Sequence, residues 1–201
     1  MSQLRRLVLV RHGESNGRSS ERMIGSGDPE LSSEGREQLR AARSILSGQV
    51  LDCVISSPQR RAWQSAAVLV GEAPIQIEPG FREIHFGRWE GMTLAEIQAS
   101  DPVLYGEWRS RNSGFEFPGG ELRADFRARV ERGLDALLAS GATGALVVVH
   151  KGVVRAIQER LTGAKPEPDQ PGLGEAIVLT RDGDGSWFVG QHSSNPPALE
   201  S

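Results

Sequence analysis

The most constraining feature of this 201-residue sequence is an apolar run that ends abruptly in charged residues. Residues 7–10 are all Leu or Val, and Arg11, His12, Gly13 and Glu14 follow them directly. Such a run is typical of a strand that is covered on both faces in a parallel sheet. Ligands of open α/β sheets bind beyond the carboxyl ends of the strands, where the residues after the run would lie. The pattern therefore predicts His12 as a nucleophile and Arg11 as a group that holds an anion.

A second apolar run with the same ending strengthens this interpretation. Residues 145–149 are apolar and are followed by His150, Lys151 and Gly152. A lone histidine after a strand is often a structural residue. Two buried strands that each deliver a histidine at the same end are hard to explain by packing, so we expect His12 and His150 to share one site.

Strand and helix patterns alternate along the rest of the chain, which predicts an α/β fold. Further strands are predicted at 51–55, 75–77, 176–179 and 187–191, and helices between Ser32 and Gly48 and at 60–70, 94–101, 103–109, 122–138 and 153–161. We expect a three-layer α/β/α sandwich whose mostly parallel sheet has an antiparallel edge strand, supplied by a hairpin around residues 182–185. The chain is predicted to form a single domain over residues 1–201, with a cap over the active site at about 81–120 and a disordered tail at 193–201.

Composition excludes several classes of partner and compartment. The chain is 38% hydrophobic and 24% charged with a net charge of -3, so no overall positive field attracts nucleic acid or an acidic membrane. No run approaches the roughly 18 apolar residues of a membrane span, and no signal peptide is recognisable. Cys53 is the only cysteine, which excludes an internal disulfide and suggests a reducing compartment. The cytoplasm is the expected location, and the oligomeric state, a homodimer included, stays open.

Five residues form a plausible set for phosphoryl transfer: Arg11, His12, Arg61, Glu83 and His150. A neutral imidazole nitrogen can attack phosphorus and become covalently phosphorylated. Arginine offers a planar fork matched to phosphate, and a protonated His150 would add another donor. Glu83 could give a proton to the leaving oxygen and later take one from water, which requires a raised carboxyl pKa.

Several motifs in the chain resemble those of the histidine phosphatase superfamily, the phosphoglycerate mutase-like proteins. They are RHGES at 11–15, the run at 25–32, SSPQRRAWQSA at 56–66, REIHFGRWEG at 82–91, PGGE at 118–121 and the Val-His pair at 149–150. The resemblance implies the phosphoglycerate mutase-like fold and a phosphohistidine at His12. It also implies Arg61, rather than Arg60, as a phosphate ligand, Glu83 as the proton donor and His150 as the second histidine.

Four positions depart from the family pattern. Arg18 stands where the family commonly has asparagine, Lys151 replaces a glycine, Gln59 a leucine, and Leu122 a serine or threonine. None of these changes removes a member of the catalytic set. Arg18 and Lys151 add positive charge, and our hypothesis is that they favour a substrate with a second anionic group. The alternative is that both long side chains point into solvent.

The resemblance favours a hydrolase that acts on a small phosphorylated metabolite without metal or cofactor. Some members of the family are mutases, but those resembling this chain carry a longer insertion before the second histidine and a C-terminal tail over the site. A phosphoglycerate-type phosphomutase is therefore the alternative. A non-catalytic phospho-ligand binding protein is a second alternative. Such a protein would be expected to have lost His12 or Glu83, and this chain has both.

Two other hydrolase chemistries are less well supported. A metal hydrolase could use His12, Glu14, Glu83, His85 and His150, but no paired histidine spacing typical of a metal site is present. A cysteine phosphatase needs an arginine shortly after its nucleophile, and the chain has Gln59 at that distance from Cys53.

Overall fold

The computed structural model describes residues 3–167 and 169–190 and has the expected α/β/α architecture. The strands are β1 (Arg6–Arg11), β2 (Cys53–Ser56), β3 (Gln76–Ile77), β4 (Gly144–Val149), β5 (Ala176–Arg181) and β6 (Trp187–Val189). The helices are α1 (Ser33–Ala42), α2 (Arg60–Val70), α3 (Leu94–Ser100), α4 (Pro102–Arg109), α5 (Arg123–Ala139) and α6 (Lys151–Thr162). The predicted tail at 193–201 lies outside the described residues.

One six-stranded sheet, in the order β3-β2-β4-β1-β5-β6, forms the centre of the molecule. The first four of these strands run parallel, and the β5–β6 hairpin adds antiparallel pairing at one edge. This arrangement confirms the predicted fold class. Strands β1 and β4 are neighbours, and their last residues, Arg11 and Val149, are paired. The two histidines that follow them therefore leave the sheet side by side.

Apolar side chains cover both faces of the sheet. On one face, Leu7, Leu9 and Val147 pack with Val130 of α5 and Ile157 of α6. On the other face, alternate residues of the same strands pack with helices α1 and α2; the members are Val8, Val10, Leu146, Val148, Leu39, Ala66 and Leu69. Since successive residues of a strand point to opposite faces, two helical layers explain the uninterrupted apolar runs of β1 and β4.

Local signals in the sequence correctly locate most helix ends. The Ser32 side chain accepts a hydrogen bond from Gly35 N, and Thr93 with Glu96 forms a capping box at the start of α3. Gly71 ends α2 with a φ of 64°. Two ends differ from the prediction. Helix α1 ends at Ala42 and continues as a 3-10 helix over Arg43–Leu46, before the predicted end at Gly48. Helix α6 starts at Lys151 rather than at Val153, with His150 as its N-cap. The extra residues bring the backbone of the helix start to the second histidine.

The segment at 81–120 has a small apolar core of its own. Trp89, Ile97 and Phe115 are buried together, and Phe117 packs against them. The indole N–H of Trp89 donates to Asp101 at 2.8 Å, which joins this core to the start of α4. Over the described residues, no helix has the length and apolar content needed to cross a bilayer.

Candidate active site

His12 lies at the end of β1 with only 4% of its surface exposed, and both ring nitrogens have defined partners. Its Nδ1 atom is 2.7 Å from the carbonyl oxygen of Gly13, which can only accept, so Nδ1 carries the proton. Nε2 accepts a hydrogen bond from Nε of Arg61 at 3.2 Å. Burial, then the charges of Arg61 and Arg11, hold the pKa of His12 well below its ordinary value of 6.5. The imidazole is therefore neutral, with the lone pair of Nε2 facing Arg61.

Close packing behind His12 fixes the turn that carries it. A Cβ atom on Gly13 would lie 2.6 Å from the carbonyl oxygen of Gly35 on α1. Only glycine allows this approach of the two backbones. The N–H of Gly13 donates to Ser65 Oγ on α2 at 3.1 Å, so both helices on this face hold the turn.

Arg61 projects from the first turn of α2 and is completely buried. Its Nη1 donates to the carbonyl of Gly27 at 2.6 Å, and Nη2 donates to those of Ile24 and Gly25 at 3.1 and 3.0 Å. Burial lowers the pKa of Arg61 to about 10, so the guanidinium stays charged at neutral pH. Arg60, the neighbouring residue, is exposed and pairs with Glu30 instead.

His150 follows β4 and places its ring 5.1 Å from that of His12, centre to centre. Its Nε2 atom lies 2.8 Å from Ser57 Oγ, while Nδ1 is buried without a hydrogen-bond partner among the described residues. Burial and the charge of Arg61 hold the pKa of His150 well below 6.5. The His150 ring is therefore neutral in this structure, and its Nδ1 atom is free to contact a ligand.

Arg11 stands at the end of β1 and completes the cationic side of the site. Nη1 donates to the carbonyl of Pro171 at 3.2 Å, and Nε is buried without a partner among the described residues. Its charge is one of the causes that depress the pKa values of both His12 and His150. Arg11 and Arg61 therefore surround the two imidazoles with positive charge.

Glu83 brings a buried carboxyl group to the same site. Its Oε1 accepts from Ile84 N at 3.0 Å and its Oε2 from Gly152 N, in the first turn of α6, at 3.1 Å. Burial raises the pKa of Glu83 above its ordinary 4.5, although these two amides and the charges of Arg61 and Arg11 act in the opposite direction. A buried carboxyl group with a raised pKa, within the electrostatic influence of two guanidinium groups, is suited to give and take a proton.

Gln59 and Arg129 contact this site although residue patterns did not assign them a role there. Gln59 accepts a hydrogen bond from the Glu83 N–H at 2.8 Å. Arg129 of α5 donates to the main-chain carbonyls of Gly80, Arg82 and Glu83 at 2.8, 2.6 and 3.0 Å. The only sequence signal was the departure of Gln59 from the leucine of the family motif; Arg129 is one of several arginines on α5 and had none.

The two predicted specificity residues lie in different surroundings. Arg18 has an exposed side chain that pairs with Glu21 at 2.5 Å. Lys151 is half-buried at the start of α6, 3.9 Å from Asp169, and burial lowers its pKa. The charges of Arg11 and Glu83 also act on the Lys151 pKa, so its ammonium group lies within the electrostatic range of both residues.

The other candidate ligands of a metal site have structural partners. The Glu14 carboxylate accepts hydrogen bonds from the backbone of Ser15, Ser19 and Ser20 at 2.7, 2.6 and 3.0 Å. The His85 Nδ1 accepts from Gly87 N at 3.0 Å. In the part of the chain that the structure describes, no three His, Cys, Asp or Glu side chains are grouped to hold a metal ion. Cys53 is a buried residue of β2.

Known proteins match the chain over most of its length. Residues 7–189 match the family described as histidine phosphatase superfamily (branch 1). The glucosyl-3-phosphoglycerate phosphatase of Mycolicibacterium vanbaalenii is 34% identical over 194 residues, covering 92% of this chain and 83% of that protein. Phosphoserine phosphatase 1 of Hydrogenobacter thermophilus is 32% identical over 161 residues, covering 79% of this chain and 76% of that protein.

Solved structures agree with the sequence matches. The alpha-ribazole phosphatase of Shigella flexneri superposes with a TM-score of 0.78 at 25% identity, covering 98% of this chain and all of that chain. The family match spans the motif around His12, the Arg61 helix, the Glu83 segment and the His150 strand. The chain therefore belongs to the histidine phosphatase superfamily and is a phosphoric monoester hydrolase of its phosphatase branch.

Proposed function

We propose that this chain hydrolyses phosphomonoesters of small metabolites in two steps, through a covalent phosphohistidine on His12. The observation that carries the proposal is the state of the His12 ring. Its Nδ1–H is held by Gly13 O at 2.7 Å, and its Nε2 lone pair faces Arg61. Because its pKa is depressed, the ring needs no separate base to remove a proton before Nε2 attacks.

In the first step, the Nε2 lone pair of His12 forms a bond to phosphorus while the bond from phosphorus to the leaving oxygen breaks. That oxygen takes the proton of the Glu83 carboxyl group, so a neutral alcohol departs and Glu83 becomes a carboxylate. Three charged equatorial oxygens develop in the transition state. The guanidinium groups of Arg11 and Arg61 supply fixed positive charge for these oxygens, and the unused His150 nitrogen supplies a polar contact.

In the second step, a water molecule replaces the alcohol. The Glu83 carboxylate removes a proton from this water, whose oxygen attacks phosphorus while the bond to Nε2 of His12 breaks. Inorganic phosphate leaves, and the enzyme regains its neutral imidazole and protonated carboxyl. The raised pKa of Glu83 favours both halves of this cycle because the group must bind a proton and release it near neutral pH.

The substrate that we propose is a small phosphorylated metabolite with a second anionic group. Glucosyl-3-phosphoglycerate phosphatase and phosphoserine phosphatase, two of the matched proteins, are named for substrates of this kind. Lys151 is the best placed of the two added cations to meet a second anion, since it is half-buried near Arg11 and Glu83. The segment at 81–120, which carries both Glu83 and a separate apolar core, would act as the cap that selects the substrate.

We propose the cytoplasm as the place of action. The support is chemical: the one cysteine of the chain, Cys53, is a buried, unpaired strand residue, as expected in a reducing compartment. The net charge of -3 separately predicts no nucleic-acid or membrane partner. Location of the tagged protein by cell fractionation would test this part of the proposal.

The central experiment is a hydrolysis panel of phosphoesters combined with trapping of the phosphoenzyme. The wild type, mixed with labelled substrate and quenched in base, should carry acid-labile, base-stable label, and His12→Ala should carry none. His85→Ala is the matched control, because its ring is bound to Gly87 N and it should still be labelled. Equal labelling of His12→Ala would refute the proposal.

Two additions to the panel separate the alternative activities. Activity should persist in a metal chelator, whereas a metal hydrolase would lose it. Label should pass to water rather than to a second hydroxyl of a glycerate acceptor, whereas a phosphomutase would transfer it to the acceptor. A protein that binds these compounds without turning them over would be a phospho-ligand binding protein instead.

A further inference from the structure

The amide side chain of Gln59 joins two parts of the active site that no helix or strand connects. Gln59 precedes α2 and is only 1% exposed. Its Nε2 donates to the carbonyls of Gly25 and Gly27 at 2.7 and 3.2 Å, and its Oε1 accepts from Glu83 N at 2.8 Å. Because carbonyls only accept and a backbone N–H only donates, these partners allow one orientation of the amide.

Arg61 uses the same two carbonyl groups. Its Nη2 and Nη1 donate to Gly25 O and Gly27 O at 3.0 and 2.6 Å. One turn of backbone at 25–27 therefore receives the guanidinium of the phosphate ligand and the amide of Gln59 together. The other end of that amide holds the main chain of Glu83, so the three residues form one connected network.

The side chain of Gln59 does not cap its own helix. Gln59 occupies the N-cap position, where a polar side chain often binds the free N–H groups of its own helix. Here the side chain makes no such bond. It turns away from the helix, towards the 25–27 turn and the main-chain N–H of Glu83, whose hydrogen bond it accepts.

We propose that Gln59 is a positioning residue, which holds the Glu83 carboxyl group at a set place relative to Arg61. It is not a catalytic residue, since its three partners are main-chain groups. The leucine of the family motif cannot make any of these bonds, so this chain has a connection that the motif does not encode. The proposal rests on the proposed role of Glu83 as the proton donor.

A displaced proton donor affects substrates according to their leaving groups. Glycerol 3-phosphate releases an alkoxide, which needs the Glu83 proton, whereas p-nitrophenyl phosphate releases a stable phenolate that needs it far less. Gln59→Met keeps the length of the side chain and removes its hydrogen bonds. We expect kcat/KM of Gln59→Met to fall on the order of tenfold to a hundredfold for glycerol 3-phosphate and less than about threefold for p-nitrophenyl phosphate.

Gln64→Met is the matched control. Gln64 lies on the same helix and also accepts a backbone hydrogen bond, from Leu31 N at 2.8 Å, but among the described residues it makes no hydrogen bond to Glu83. Its two kcat/KM values should change by the same small factor. Gln59→Leu, which has the residue of the family motif, repeats the test if the methionine variant is poorly folded.

The outcomes separate this proposal from the proposed function. Equal losses on both substrates in Gln59→Met, with weaker inhibition by inorganic phosphate, would overturn the inference and assign Gln59 to Arg61 alone. No loss on either substrate would overturn it as well. Glu83→Gln is measured in parallel. If its kcat/KM falls equally for the two substrates, the proposal that Glu83 is the proton donor is wrong, whatever the result for Gln59.

Discussion

Nε of Arg61 donates a hydrogen bond to Nε2 of His12 over 3.2 Å, so the arginine contacts the lone pair that is proposed to attack phosphorus. The other two guanidinium nitrogens are anchored to carbonyls of the 24–27 turn. A phosphoryl group that approaches His12 would take over the Nε–H while the anchored part of the guanidinium stays in place. The arginine can thus orient the nucleophile first and bind the oxygens next with little movement.

This geometry predicts a large effect of Arg61→Lys. A lysine ammonium cannot reach His12 and three carbonyl groups at once, because it lacks the planar fork of arginine. We expect kcat/KM to fall on the order of a hundredfold to a thousandfold, as for the loss of a transition-state donor. Arg60→Lys is the control, since Arg60 is exposed and pairs with Glu30, and its activity should be unchanged. The reverse order of effects would contradict the assignment of Arg61.

Gly152→Ala tests the contact between α6 and Glu83. A Cβ atom at this position would lie 2.4 Å from Glu83 Oε1 and would push the carboxyl group away. We expect kcat/KM to fall on the order of tenfold to a hundredfold, with the fold retained. Gly106→Ala on α4 is the control: its Cβ would meet nothing within 4 Å, and the variant should be as active as the wild type. Full activity of Gly152→Ala would show that the position of Glu83 is not critical.

The second-anion hypothesis makes a prediction for Lys151→Gly, which has the residue of the family motif. This variant should lose activity selectively on substrates with a carboxylate or second phosphate, by about tenfold relative to substrates with one anionic group. Arg18→Asn is measured beside it. Because Arg18 is exposed and paired with Glu21, we expect a smaller change. Unchanged relative rates for Lys151→Gly would end the hypothesis.

The buried histidines predict how stability depends on pH. Folding holds the pKa values of His12 and His150 well below 6.5, so below that pH the unfolded chain binds more protons. The free energy of unfolding should then fall with decreasing pH by about 1.4 kcal/mol per unit for each histidine. Glu83 acts in the opposite direction, because its raised pKa makes the folded chain bind the extra proton above pH 4.5. Since two histidines act against one carboxyl group, we expect the free energy of unfolding to fall as the pH decreases.

Denaturant unfolding at pH 5, 6 and 7 would measure this slope, and His12→Asn isolates one contribution. The variant should lose about 1.4 kcal/mol per pH unit from the slope between the folded and unfolded pKa values. A slope equal to that of the wild type would show that His12 takes up a proton in the folded protein.

Arg129→Lys tests the attachment of the Glu83 segment to α5. Arg129 donates to the carbonyls of Gly80, Arg82 and Glu83 and also pairs with Glu121 at 2.7 Å. Lysine cannot satisfy all of these acceptors, so we expect a loss of about 2–3 kcal/mol in the free energy of unfolding. Arg132→Lys, an exposed change on the same helix, should cost less than about 0.5 kcal/mol. Similar losses for both variants would contradict the proposed attachment.

The predictions that held depend on local patterns. The apolar runs before His12 and His150 located two neighbouring strands, and Ser32, Thr93 and Gly71 marked helix ends through bonds to residues only a few positions away. Periodicity and capping are short-range properties, so a single sequence is sufficient to show them.

The features that the sequence did not reveal depend on distant contacts. Glu83 meets Gln59, Arg129 and Gly152 at separations of 24, 46 and 69 residues. Side chains that bind a remote backbone leave no periodic signal, and Arg129 looks like any solvated residue of a polar helix face. The start of α6 at Lys151 also involves a distant contact, because the Gly152 N–H in its first turn donates to Glu83.

The pairing of Arg11 with Val149 has a consequence for how this molecule can fail. The pairing of β1 with β4 in the middle of the sheet sets the positions of both imidazoles. A shift of this pairing by one residue would turn one of the two rings to the opposite face of the sheet. Because the register of two paired strands changes only in whole residues, no arrangement exists between the native register and the shifted one. Substitutions that disturb the β1–β4 pairing should therefore lower the fraction of active molecules, while each molecule that keeps the native register has the normal turnover rate.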